Sequence, residues 1–187
     1  MKRRNIAVIV GSLRKDSINM KMAKALIEMA QQFYNMEILS IGQLPFYNQD
    51  LETENPPSEW VSFREKILKF DGLLFVTPEY NRSIPAVLKN ALDVGSRPTG
   101  KNAWNGKPGA VVSVSRGAIG GFGANHHLRQ SLVFLNVPVM AQPEAYIGNG
   151  EQIFDSNGKF TDPNVKQFMM KFMDAFSKWV ETILNRT

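Results

Sequence analysis

The sequence predicts an α/β fold, a three-layer sandwich in which a five-stranded parallel sheet carries helices on both faces. Three observations predict it. Short apolar runs alternate with helical hydrophobic patterns along the whole chain, as in successive strand–helix–strand units. The apolar runs are continuous rather than alternating, as strands covered on both faces require. Polar segments rich in turn residues follow three of the runs, where the chain leaves a buried strand.

Residues 6–10 (IAVIV) read as the first strand. Residues 19–34 read as a helix with Ala23, Leu26, Ile27, Ala30, Phe33 and Tyr34 on one side. Residues 36–41 (MEILSI) form the second strand, and 42–60 a long polar connection in which Ser58 is placed to cap a helix over 59–69. Residues 71–77 (DGLLFVT) are the third strand. Pro85 then stands where a first helical turn tolerates it, ahead of a helix with Ala86, Leu88, Ala91 and Leu92 on its apolar side. Residues 108–115 (PGAVVSVS) are the fourth strand, 126–135 a helix, and 137–141 (VPVMA) the fifth strand. The tail carries the cleanest helical pattern: Val165, Phe168, Met169, Phe172, Met173, Phe176, Trp179, Val180 and Ile183 recur at spacings of three and four, a core-packing stripe.

Five strands so connected suggest a flavodoxin-like order, 2-1-3-4-5. No repeat, low-complexity tract or linker interrupts residues 1–187, which read as a single domain. Sheets of this kind bind ligands beyond the carboxyl ends of the strands, near the switch point in strand order. There the first, third and fourth strands deliver GSLRKDSIN, PEYNRSIP and SRGAIGGFG to one edge.

Composition narrows the chemistry. The 187 residues include no cysteine, which excludes disulfides, thiolate catalysis and zinc–thiolate sites. The two histidines, His126 and His127, are helix neighbours that point in different directions and make a poor metal pair, so no metal is expected. The net charge of +5 and pI near 9.5 favour anionic ligands. The basic residues are scattered, without the aromatic-interleaved stripe of a nucleic-acid binder. The apolar run after MKRR is shorter than a secretory core and no run approaches a membrane span, so a cytoplasmic location is expected.

Each loop has a chemical reading. In the first, Gly11 allows unusual dihedrals, Ser12, Ser17 and Asn19 offer short hydrogen-bonding groups, and Arg14 offers a forked cation. Following a strand and opening a helix, such a loop is either a cap or a seat for phosphate. It is neither a Walker loop nor a G-x-G-x-x-G dinucleotide fingerprint. In the second, two prolines stiffen the backbone, Tyr80 can line a ring face, and Glu79 can hold the loop by a backbone hydrogen bond. In the third, Gly117, Gly120, Gly121 and Gly123 allow close backbone approach or mobility, with Ser115 and Arg116 as donors.

GSLRKDSIN, TPEYNRSIPAVLKNALD and SRGAIGG followed by HHLRQSLVFL resemble the NAD(P)H-dependent FMN reductase family, and within it the bacterial quinone and chromate reductase branch. The resemblance runs from residue 6 to the fifth strand and is loose beyond residue 148. It implies that the FMN phosphate lies on Ser12, Arg14, Ser17 and Asn19, with Ile18 alongside. It implies that Pro78, Glu79, Tyr80 and Asn81 lie against the isoalloxazine, and that Ser115, Arg116 and Gly117 meet its pyrimidine side. Homodimers or homotetramers are implied too, with the helices around 88–93 and 128–135 as interface expectations. Arg82 stands where many relatives carry tyrosine, and Arg116 where a small or neutral residue is common. The implied reaction is a ping-pong relay of hydride from NADPH or NADH through FMN to quinones, azo compounds or chromate, with no protein nucleophile. The rival readings are a flavodoxin-like electron carrier without catalysis and a basic nucleic-acid module. Arg82, Arg97 and Lys101 have two readings: cations near the mouth that attract phosphates of the donor, or, favoured for any one of them, solvated surface charge.

Overall fold

A computed structural model describes residues 3–185. Five strands, β1 (Arg4–Val10), β2 (Tyr34–Leu39), β3 (Gly72–Thr77), β4 (Gly109–Val114) and β5 (Ala145–Ile147), form one sheet in the order β2-β1-β3-β4-β5. All neighbours are parallel, and Val8 of β1 pairs with Ile38 of β2 and Leu74 of β3. The helices are α1 (Ile18–Ala30), α2 (Ser58–Leu68), α3 (Ala86–Gly95), α4 (Phe122–Phe134) and α5 (Pro163–Leu184). The predicted α/β sandwich and its strand order stand.

Alternate residues of the central strands feed two cores. Ile6, Val8 and Val10, with Leu74, Val76 and Val112, pack against α1 and α5 through Met22, Leu26, Phe172 and Phe176. Ala7 and Ile9, with Leu73, Phe75 and Val111, pack on the other face against Trp60, Leu88, Trp104 and Leu128. The tail helix is set by Asp162, whose Oδ1 accepts from the N–H of Asn164 at 2.8 Å.

Four expectations need correction. The fifth strand is Ala145–Ile147, not 137–141; Val139 makes only an isolated bridge to Gly109 while Val137 and Met140 plug the core. Helix α1 stops at Ala30, because Tyr34 opens β2 by pairing with Arg4, and Phe33 is left exposed. Ser58 does not cap α2: it is the first helical residue behind Pro57, and its hydroxyl donates to Glu59. Helix α4 begins at Phe122, earlier than its apolar pattern suggests, because Gly121 turns the chain at φ 77°.

Candidate functional site

The first loop leaves β1 pressed against β3. The Gly11 N–H donates to Val76 O at 2.9 Å, and a Cβ on Gly11 would lie 2.9 Å from Thr77 Oγ1. Space, not an unusual φ, is why glycine stands here. Ser17 caps α1, its Oγ accepting from the Met20 N–H at 3.2 Å. The N–H groups of Ile18 and Asn19 thus face the loop without an intrahelical partner, and no acidic side chain occupies the first turn. That is an anion seat. Asn19 is buried, and its Nδ2 donates to Val114 O at 3.2 Å, tying α1 to the end of β4. Its Oδ1 is buried with no hydrogen-bond partner among the described residues. As an acceptor it calls for a hydroxyl, which a phosphate dianion cannot supply and a polyol can.

The second loop is a tight turn. Tyr80 and Ser83 exchange two backbone hydrogen bonds of 2.9 Å, and the central residues Asn81 and Arg82 have φ of 50° and 66°. A turn with two positive φ angles prefers Asn-Gly. Asn81 fits that preference; Arg82 carries a strain on the order of 1 kcal/mol. The Glu79 side chain is only 12% exposed. Its Oε2 accepts from the Ala124 N–H at 3.0 Å, and its Oε1 from Arg82 Nη1 at 3.3 Å. Gly121, at the N-cap of α4, has no side chain to cap it, so Glu79 caps the helix from another loop and puts negative charge on its positive end. The Glu79→Gln variant is expected to lose about 1 kcal/mol of unfolding free energy, read as a fall of roughly 2–4 °C in Tm.

The third loop is braced, not loose. Gly120 has φ 69°, and a Cβ there would lie 2.5 Å from the Tyr146 carbonyl carbon. A Cβ on Gly148 would collide with the backbone of Ala118. Ser115 N–H donates to Ile147 O at 3.0 Å, and Gly150 N–H to Ser115 O at 2.9 Å. These contacts hold the loop against the strand β5 and its exit, so Gly120, Gly121 and Gly123 serve close packing rather than mobility, while a Cβ on Gly117 would meet nothing within 4 Å. Arg116 pairs with Glu151 at 2.7 Å, both largely exposed, and the Ser115 hydroxyl donates to Gly117 O.

The three loops enclose one cavity of about 500 Å³. Ser12, Arg14, Ser17, Ile18, Asn19, Pro78, Glu79, Tyr80, Ser115, Arg116 and Gly117 all line it. Asn81 does not; it shapes the turn instead. Arg82 lines the cavity, as expected of the mouth, but Arg97 and Lys101 do not: Arg97 borders a separate hollow beside Tyr47. Gly121, one of the glycines read as allowing close backbone approach, lines it too; Val114, Ala118 and Ile119 also line it and were not assigned from the sequence, being apolar and without a chemical signature. Size alone points elsewhere, to hollows of about 890 and 900 Å³ against α5 and between α3 and α4. Neither collects the loops at the strand ends. His126 and His127 diverge to Tyr146 and Ser83, and no group of three or more metal-binding side chains occurs among the described residues.

Residues 4–152 match the family model of NADPH-dependent FMN reductases. The chain belongs to that family. It is 58% identical over 182 residues to a quinone reductase of Pseudomonas putida, covering 97% of this chain and 96% of that one. It is 46% identical over 175 residues to a 2-hydroxy-1,4-benzoquinone reductase of a Burkholderia species, covering 94% and 95%. The solved structure of FerB, a flavoenzyme NAD(P)H:(acceptor) oxidoreductase from Paracoccus denitrificans, superposes with a TM-score of 0.90 at 41% identity, covering 96% and 98%. The cofactor named by the family fits the donors present. FMN carries a phosphate for the open Ile18 and Asn19 N–H groups at the start of α1 and a polyol for the orphaned Asn19 Oδ1.

Proposed function

We propose that this cavity holds FMN with its phosphate on the first loop, its polyol at Asn19 and its ring between the second and third loops. The enzyme is an FMN-dependent oxidoreductase that takes electrons from NAD(P)H and reduces quinones. The balance is NAD(P)H + quinone + H⁺ → NAD(P)⁺ + hydroquinone. One observation carries the placement: loops from three separate strands close one cavity at the carboxyl edge, with an anion seat at one end. FMN supplies the hydride chemistry when bound. The protein supplies binding and orientation. Ser12, Arg14, Ser17 and the N–H groups of Ile18 and Asn19 hold the phosphate, with Arg14 free of ion pairs among the described residues. Pro78 and Tyr80 flank the ring on a turn that Glu79 anchors. Because Arg116 is held by Glu151 and the Ser115 hydroxyl by Gly117 O, the donors this loop offers a ring are backbone N–H groups around Gly117.

Donor and acceptor occupy the open side of the cavity in turn, the order of a ping-pong reaction. Azo compounds and chromate fall within the same reach. Residues 1–187 act as one FMN-binding domain. The active form is a homodimer or homotetramer, a reading supported by Val133 and Phe134 on α4, which are 73% and 89% exposed. No helix among the described residues is long and apolar enough to cross a membrane. We place the enzyme in the cytoplasm, where its donor is abundant. An anaerobic visible spectrum of the purified protein tests the reading. A yellow protein that NADPH or NADH bleaches is expected. A protein that cannot be reconstituted with FMN overturns it, and one that binds FMN but resists both donors is a carrier.

A further inference from the structure

We infer that Arg82 makes this enzyme selective for anionic quinones, those whose ring hydroxyl is ionised at neutral pH. The inference rests on the cavity being the FMN and quinone site. A hydroxyl conjugated to a quinone carbonyl is acidic, because its negative charge is shared between two oxygens. Such a quinolate is a flat anion.

The cavity is built to receive one. Its lining carries Arg14, Arg82 and Arg116 against a single carboxylate, Glu79. Arg14 belongs to the phosphate end, and Arg116 is engaged by Glu151. Arg82 is the cation beside Tyr80, at the end assigned to the ring. Its side chain is 71% exposed and uses one N–H, at 3.3 Å, on a Glu79 carboxylate already engaged by Ala124. The remaining donors of its fork are open to a ligand.

The backbone points the same way. Arg82 sits at φ 66° in a turn that prefers glycine at that position. The turn would form more easily without the side chain, so the guanidinium is kept against local strain. Strain at the rim of the cavity points to a use for the side chain that bears it. Tight packing does not explain it, because the side chain stands largely in solvent.

Reduction of the quinolate balances as quinolate⁻ + NAD(P)H + 2H⁺ → trihydroxyarene + NAD(P)⁺. Arg82 would hold the anion over the site and raise its local concentration.

The test uses the holoenzyme, reduced anaerobically with dithionite and then mixed with one acceptor, so that binding of the nicotinamide donor does not enter. The acceptors are 2-hydroxy-1,4-naphthoquinone, an anion at pH 7, and its neutral 2-methoxy analogue. The expected result is that the ratio of second-order rate constants, hydroxy over methoxy, falls about fivefold to tenfold in Arg82→Gln, mostly survives in Arg82→Lys, and collapses toward the variant's value in high salt. A second readout is independent of turnover. Freed of FMN, Arg82→Gly is expected to melt about 2–4 °C above the parent, because the turn is relieved. An unchanged ratio in Arg82→Gln, while the methoxy compound is still reduced, overturns the role of Arg82 and leaves the quinone reading intact. A lower Tm in Arg82→Gly also overturns it, since the side chain would then be structural. Failure of the parent to reduce either compound overturns both readings.

Discussion

Ser17→Asp is expected to fold normally and to lose FMN. Aspartate caps a helix as well as serine does, so the bond to the Met20 N–H survives and unfolding free energy stays within about 1 kcal/mol. The carboxylate would stand in the seat assigned to the phosphate, beside the open Ile18 and Asn19 N–H groups at the start of α1. A carboxylate about 5 Å from a dianion in a partly solvated cleft costs roughly 3 kcal/mol, on the order of a hundredfold in Kd. Quenching of FMN fluorescence on titration with cofactor-free protein measures it. Ser17→Ala is the contrast: it weakens the helix by about 1 kcal/mol and leaves the seat free of negative charge. Unaltered FMN affinity in Ser17→Asp would move the phosphate to another part of the cavity.

Gly120→Ala is expected to be the more damaging change to the protein itself. The added Cβ would meet the Tyr146 carbonyl carbon at 2.5 Å and the Ile147 nitrogen at 2.7 Å. Both are backbone atoms at a strand of the sheet, so neither can step aside as a flexible side chain would. The residue must also hold φ 69°, which alanine resists. Together these effects cost roughly 3 kcal/mol, a fall of about 6–12 °C in Tm for a chain of this size. Alanine at Gly117 is the control, because a Cβ there meets nothing within 4 Å. The third loop would be pushed off β5, opening one wall of the cavity. FMN release should therefore quicken in Gly120→Ala well below its melting temperature. A variant as stable as the parent would mean that the loop is not braced as described.

Which parts of this architecture could be read from residues alone follows from physical scale. Strands β1, β3 and β4 announce themselves as continuous apolar runs because both their faces are buried. β5 has three residues, too few for any period, while the neighbouring Val137, Val139 and Met140 mimic a strand by filling core space, with a single isolated bridge from Val139 to Gly109. The early start of α4 was hidden by Gly120 and Gly121, which look like a loop and serve as the entry turn of a helix. For the cavity, the charged and hydroxyl side chains were legible because few other chemistries explain them at that edge. Ile119 and Ala118 were not, since nothing in an apolar side chain states that it borders a ligand. Nor was the pairing of Arg116 with Glu151, which depends on how the chain beyond β5 folds back.

Strand backbone lies between Phe172 and Trp104, which belong to separate cores on opposite faces of the sheet. Changes in the two share no side-chain partner, so their free energies should add, whereas neighbours within one core should couple. The fold is thus divisible for evolution. One layer can drift, be repacked or be stabilised without renegotiating the other. The cavity sits on the edge where strands serving both layers end, so it is carried by the shared sheet and not by either layer alone. Selectivity at the mouth can then be retuned one side chain at a time while each interior varies at its own pace.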